Sequence, residues 1–218
     1  MLPSFGDSII VKEPGAARQA LAVLSLTEEI IESIADAAAT AKADTMAVEP
    51  LNAPGTNAYN KGVAAKRIAL LPRGWRMSHD RGIEATVNDD LGIQLVFQNV
   101  DAACLERDPQ AVSGKGSGAR KLVYEGQRQN VLFERKEESP QQARGAPLRV
   151  WLVCVSTSDK KLRAEVSCPL LFEGNQFEGF SKRIFVIDRD YDPTPKARAA
   201  AGDRSVDDAF EVKIAKKK

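Results

Sequence analysis

The sequence predicts an α+β fold, a mainly antiparallel sheet of about five to seven strands with N-terminal helices packed on it. Three observations carry this. The apolar runs Arg149-Val-Trp-Leu-Val-Cys-Val155, Leu162-Arg-Ala-Glu-Val-Ser-Cys168 and Lys182-Arg-Ile-Phe-Val-Ile187 are separated by the turn signals Ser158-Asp159-Lys160 and Glu173-Gly174-Asn175. Ile30, Ile31, Ile34, Ala37, Ala38 and Ala41 recur at helical intervals. Ile83, Ala85 and Val87 alternate with Glu84, Thr86 and Asn88, and the turn Asn88-Asp-Asp-Leu-Gly92 leads into an apolar run over 93–100, a β-hairpin.

In chain order, Ile9-Ile10-Val11 suits a short strand or a packed arm, and residues 16–24 suit a short helix. Ser25-Leu-Thr-Glu28 has capping-box spacing and opens a helix over about 26–43, with Glu28, Glu29, Glu32 and Asp36 on its polar face. After a loop at 50–55, Thr56 can cap a second helix carrying Tyr59, Val63, Ile68, Leu70 and Leu71, which Pro72 and Gly74 end. Residues 101–119, with Pro109 and several glycines, read as a long surface loop, and 121–124 and 131–136 as two further strands. Because 150–155 is apolar at nearly every position, that strand is expected to be covered on both faces and central in its sheet. The expected core combines Ile93, Leu95, Val150, Leu152, Val153, Val166, Ile184 and Val186 with Ile30, Ile34 and Leu70. Residues 1–188 thus form one domain, with a helical part at about 16–72 and a sheet part at about 83–188. Residues 189–218 read as a largely disordered charged tail.

Composition narrows the function classes. With 43% hydrophobic and 28% charged residues, the chain can offset its ordering entropy by burial. Lys plus Arg number 31 against 30 Asp plus Glu, so no global field draws the protein to nucleic acid or an anionic membrane. No segment offers the roughly 18 apolar residues of a membrane span, and the N-terminus lacks a basic region followed by a long apolar one. A cytoplasmic location is expected. Cys104, Cys154 and Cys168 form no CxxC pair and are read as reduced and structural, with Cys154 and Cys168 able to face each other across neighbouring strands.

His79 is the single histidine, and with three scattered cysteines it gives no zinc-ligand spacing. It reads as an exposed loop residue. Ser113-Gly-Lys-Gly-Ser-Gly118 lacks the order of a phosphate-binding loop and no apolar strand directly precedes it, so it reads as a flexible tip. Residues 56–81 hold Lys61, Lys66, Arg67, Arg73, Arg76 and Arg81 against Asp80 alone, and Lys115, Arg120 and Lys121 extend the basic character. These residues, with Tyr59, Trp75 and Tyr124, suit phosphate contacts and base stacking. The competing reading is that the basic helix faces the acidic one bearing Glu28, Glu32 and Asp36, in solvated ion pairs of little net value.

Glu134-Arg-Lys136 on a strand would place carboxylate and ammonium on one face. With Asp101 after the apolar run over 93–100, this resembles the PD-(D/E)xK nucleases, although Asp101 follows Val rather than Pro. The resemblance implies Asp101 and Glu134 as ligands of Mg²⁺ and Lys136 beside the attacking water. The function expected is therefore a non-enzymatic binding module, without a cofactor or a membrane, that contacts a protein partner or nucleic acid through Lys61, Arg67, Arg73, Lys115, Arg120 and Lys121. The alternative is a Mg²⁺-dependent nuclease.

Overall fold

In the computed structural model of the protein, residues 8–114, 116–133 and 148–192 are described. The chain enters along a sheet edge as β1 (Ile9–Val11). Pro14 then sits in the first turn of α1 (Pro14–Val23), where the helix needs no N–H from it. The expected capping box at Ser25 is displaced by two residues. Ser25 takes φ 54 in the corner after α1, and Thr27 caps α2 (Glu28–Ala43) by accepting from Ile30 N at 3.4 Å. α3 (Ala53–Leu70) likewise starts ahead of Thr56, with Pro54 in its first turn, and the Thr56 hydroxyl donates back to Asn52 O at 3.0 Å.

Beyond a 3₁₀ turn at Leu71–Arg73 come β2 (Arg76–Ser78), β3 (Ala85–Asn88) and β4 (Ile93–Asn99). They are followed by α4 (Ser117–Phe133), β5 (Arg149–Ser158), β6 (Lys161–Glu173) and β7 (Gln176–Asp190). The seven strands form one sheet in the order β1-β7-β6-β5-β4-β3-β2, with β5 in the middle as its apolar continuity predicts. Asp159 and Lys160, at φ 53 and 55, make the tight turn between β5 and β6.

The class is α+β, but the sheet is mixed rather than mainly antiparallel: β1 pairs with β7, and β4 with β5, in parallel. The cause is a helix where strands are expected. Residues 121–124, expected as a strand, and 131–133, expected to begin another, belong to α4, which lies in the connection between the parallel pair β4 and β5. The short apolar run Leu122-Val-Tyr124 has no periodicity of its own to separate strand from helix. α4 also corrects the placement of helices. α1, α2 and α3 cover one face with Ile93, Leu95, Phe97, Val153, Val166 and Ile184. α4 covers the other, with Val96, Val150, Leu152 and Cys154.

The expected core residues are buried, apart from Val186, which is half-buried, but they divide between these two faces. Cys154 and Cys168 fall on opposite faces, so the suggested facing of the two does not occur: Cys154 registers with Glu165. α4 approaches the sheet closely at Gly126, where a Cβ would stand 2.7 Å from Leu148 O. No described helix is long and apolar enough to cross a membrane. β7 continues to Asp190, beyond the expected domain end at 188, and the rest of the expected tail, 193–218, lies outside the described residues.

Candidate functional site

At the carboxyl ends of β4 and β5, the connection between α2 and α3 is held rigid by its own polar side chains. Asn57 Nδ2 donates to Thr45 Oγ1 and to Glu49 Oε2, both at 3.1 Å, while Glu49 Oε1 accepts from Met46 N at 3.2 Å. Backbone bonds from Glu49 N to Met46 O and from Ala53 N to Pro50 O close the remaining turns. This frame presents apolar groups to solvent: Met46, Val48 and Leu51 are 64%, 88% and 103% exposed. Beside it lie two shallow grooves, of about 310 and 120 Å³, that share Ala39, Lys42 and Thr157 and are bordered by Pro54 and Gly55. Lys42 Nζ is tied to Thr157 Oγ1 at 2.7 Å. Nothing in the sequence periodicity marks this loop; its signal is three apolar residues in a segment that ends no helix face and starts none.

The basic residues expected to form one surface are divided between layers. Lys61, Arg67 and Arg73 belong to α3 or the turn after it, and Arg120 and Lys121 to α4 across the sheet. Arg67 pairs with Glu84, whose carboxylate also meets His79 Nδ1 at 2.7 Å; these partners hold the Glu84 carboxyl below its ordinary range, the His79 bond foremost. Arg76 pairs with Asp89 at 2.6 Å. Arg120 donates to Gly174 O at 2.9 Å and lies over the Phe172 ring. Lys115 lies outside the described residues. The acidic helix does not neutralise α3 in these pairs: Glu28 meets Arg18, and Asp36 meets Arg189.

Lys66, counted in sequence with the basic surface, is buried at 0% exposure. It follows Tyr59 and Val63 on the inward stripe of α3, the signal that could have separated it from its charged neighbours. Its Nζ donates to Glu84 O at 2.9 Å and to Leu95 O at 2.7 Å. Burial, with the neighbouring Arg67, brings its pKa down to about 7. A neutral amine has two N–H groups, and both have acceptors here.

Asp101 anchors the segment that follows β4. Its carboxylate accepts from Ala102 N at 2.6 Å, Gln110 N at 2.9 Å and Arg107 Nη1 at 2.7 Å. Burial raises the Asp101 pKa, but the bonds from Gln110, Arg107 and Ala102 outweigh it and hold the carboxyl below its usual range. Glu134 and Lys136 lie outside the described residues. The strand proposed to carry them is helical up to Phe133, and no group of three or more potential metal ligands occurs among the described residues.

The same segment is fastened to the sheet by a buried polar cluster. Glu165 and Arg183, both 0% exposed, meet through Nε to Oε1 and Nη2 to Oε2, each at 2.8 Å. Ser167 donates to Oε1 at 2.7 Å and Cys104 N to Oε2 at 2.5 Å, while Arg183 Nη1 reaches the carbonyls of Glu106 and Arg107. Every charged atom is matched, so the cluster can hold 101–111 in one place without the penalty of an unpaired buried charge. Burial, reinforced by the Glu165 charge, pushes the Cys104 thiol up to about 12, so it carries no nucleophilic thiolate at neutral pH. No family model, curated protein or solved structure matches this chain.

Proposed function

We propose that the protein is a non-enzymatic binding module whose partner is another protein, docked at the connection between α2 and α3. The observation that supports this is the hydrogen-bonded frame of Asn57, Thr45 and Glu49 holding Met46, Val48 and Leu51 in solvent. A loop backbone already tied by hydrogen bonds has less ordering entropy to lose on docking, and the apolar side chains it carries gain the area they bury. Between Lys42 and Lys61 the chain has no Lys or Arg, while Asp44 and Glu49 are acidic. Phosphates of a nucleic acid or an anionic lipid surface have no counter-charge in this loop, and of the lysines lining the groove beside it, Lys42, Lys160 and Lys161, Lys42 is bonded to Thr157 and Lys161 is paired with Asp190.

A photo-crosslinking residue at Leu51, in the full chain expressed in its host, tests the reading. The expected adduct is a protein, resistant to nuclease and lost when Val48→Asp is added. The nucleic-acid reading instead predicts a low-salt gel shift removed by charge reversal at Lys61, Arg73, Arg120 and Lys121, with the Leu51 position giving no protein adduct. That outcome would replace the proposal.

A further inference from the structure

Tyr191, next to the last described residue, lines the larger of the two grooves beside the connection between α2 and α3. Its N–H donates to Lys160 O at 2.8 Å, so the chain leaves the sheet at the groove itself. The groove, of about 310 Å³, is lined on the helix side by the small residues Ala39, Ala43 and Pro54. That is room for a phenyl ring, since a cavity of about 150 Å³ holds benzene. Through Ala39, Lys42 and Thr157 it runs into the smaller groove, where Val112, 63% exposed, forms part of the lining.

The rim carries both signs of charge. Lys42, Lys160 and Lys161 line the larger groove with Asp159, and Asp44 and Glu49 stand on the adjoining connection. Asp190 engages Lys161, whereas Lys42 keeps one N–H after its two bonds to Thr157. Burial, then the charges of Asp36 and Asp44, raise the Tyr191 pKa, which places acidic groups close to the point of exit. A partner of one sign would meet repulsion on part of this rim.

The chain itself supplies an occupant with an apolar centre and both charges. Phe210, Val212 and Ile214 alternate with Glu211 and Lys213, a spacing that turns the three apolar side chains to one side of an extended segment. Asp207 and Asp208 precede them, and Lys216, Lys217 and Lys218 follow. The stretch from Asp192 to Phe210 can reach up to roughly 60 Å, so its length permits a return to the groove. A tethered segment acts at an effective concentration on the order of millimolar, and a contact of a few side chains then suffices.

We propose that residues 207–214 of the same chain dock in this groove, an autoinhibitory contact that an incoming protein has to displace; the regulatory half rests on the docking site proposed above. Phe210 enters the larger groove. Asp207 and Glu211 face Lys160 and Lys42, and Lys213 with the lysines after it faces Asp44 and Glu49.

A benzophenone amino acid in place of Phe210, irradiated in the dilute purified full chain, tests the contact. Peptide mapping of the monomer-sized product is expected to place the adduct within 39–54 or 157–161. Ala43→Glu, which crowds the groove, should cut the yield by about fivefold or more, and about 0.5 M salt should lower it by about twofold. No adduct, adducts elsewhere, or adducts confined to dimer-sized products would overturn the proposal, whatever the effect of Ala43→Glu. In the host, Phe210→Asp should raise the yield of the protein adduct from the Leu51 probe by about threefold or more, and an unchanged yield would remove the autoinhibition. Protein captured at Leu51 without an intrachain adduct from position 210 would sink this inference and leave the docking reading standing. An intrachain adduct with nothing captured at Leu51 in either form would keep the docked segment and sink that reading.

Discussion

The two faces of the sheet are built by different means. Towards α1, α2 and α3 the strands present Ile93, Leu95, Phe97, Val153, Val166 and Ile184, and the helices answer with Ile30, Ile31, Ile34 and Leu70. Towards α4 the apolar residues are interrupted by Gln94, Gln98, Ser156, Glu165, Ser167 and Arg183, all buried. Where the amphipathic helices cover the sheet, apolar area predominates, with buried Lys66 satisfied by the carbonyls of Glu84 and Leu95. The second face is covered partly by irregular chain, residues 101–111, whose backbone needs partners and whose position needs definition. The Glu165–Arg183 cluster and the Asp101 carboxylate supply both. Apolar burial is non-directional, whereas hydrogen-bonded charge pairs favour one arrangement over its neighbours.

The sharpest way to break this contrast is to remove half of the buried pair. Arg183→Met or Glu165→Leu alone is expected to destabilise the fold by about 3–5 kcal/mol, because the first leaves the Glu165 carboxylate buried without a cation and the second leaves Arg183 with only Asp108, at 3.5 Å. The double variant should recover much of that loss. Urea unfolding of the two singles and the double measures it, and additive losses would show that the pair acts as two independent packing elements.

Leu95→Ala, on the apolar face, should cost about 2–5 kcal/mol, and Leu152→Ala, on the α4 face, the same range. Equality in these two, against inequality in the polar variants, is the pattern the contrast requires. Denaturant midpoints on both proteins check it.

Lys66 gives a pH signature of its own. Its folded pKa, near 7, lies below the ordinary 10.5, so between these values the unfolded chain binds more protons than the folded one. Stability from this group therefore rises as pH increases from about 7 towards 10 and is lost as pH falls back to about 7, where the folded amine protonates. Lys66→Met should flatten that rise. Urea midpoints at pH 7, 8.5 and 10 for both proteins decide it, and identical slopes would mean that Lys66 stays charged in the fold.

Asp101→Asn should cost about 1–2 kcal/mol at neutral pH, through the weakened bonds to Arg107, Ala102 and Gln110. Because the Asp101 pKa is depressed, its contribution is present above the unfolded carboxyl pKa and disappears as pH falls through the folded value. The loss on substitution should therefore shrink in acid. The smallest effect is expected at the docking loop: Val48→Asp and Leu51→Asp should change stability by no more than about 0.5 kcal/mol, since neither side chain is buried. Thermal unfolding of these variants tests whether the loop's exposure is independent of the fold.

Much of the architecture was legible in residues that repeat at a fixed interval. Ile30, Ile31, Ile34 and Ala38 marked α2, the alternation through Val87 marked β3, and the apolar continuity of 150–155 marked the central strand. Local pattern determines these because burial of one helix stripe, or of both sheet faces, leaves a periodic trace. Elements without such a trace were missed. Arg76–Ser78 is a three-residue edge strand, and α4 has Gly126 and many polar residues, so its apolar positions looked like fragments.

What only the tertiary structure decided is which residues meet. Glu165 and Arg183 are 18 positions apart and pair because β6 and β7 are neighbours with a register shift at Ala164/Glu165. Lys66 is turned from the surface to the carbonyls of Glu84 and Leu95, which approach it only when α3 lies on the sheet. The cationic residues grouped in sequence are parted because Lys61 and Arg67 lie on α3 and Arg120 and Lys121 on α4, across the sheet. Composition and period set how much of each segment is buried; long-range pairing, which carries no local signature, sets what it is buried against.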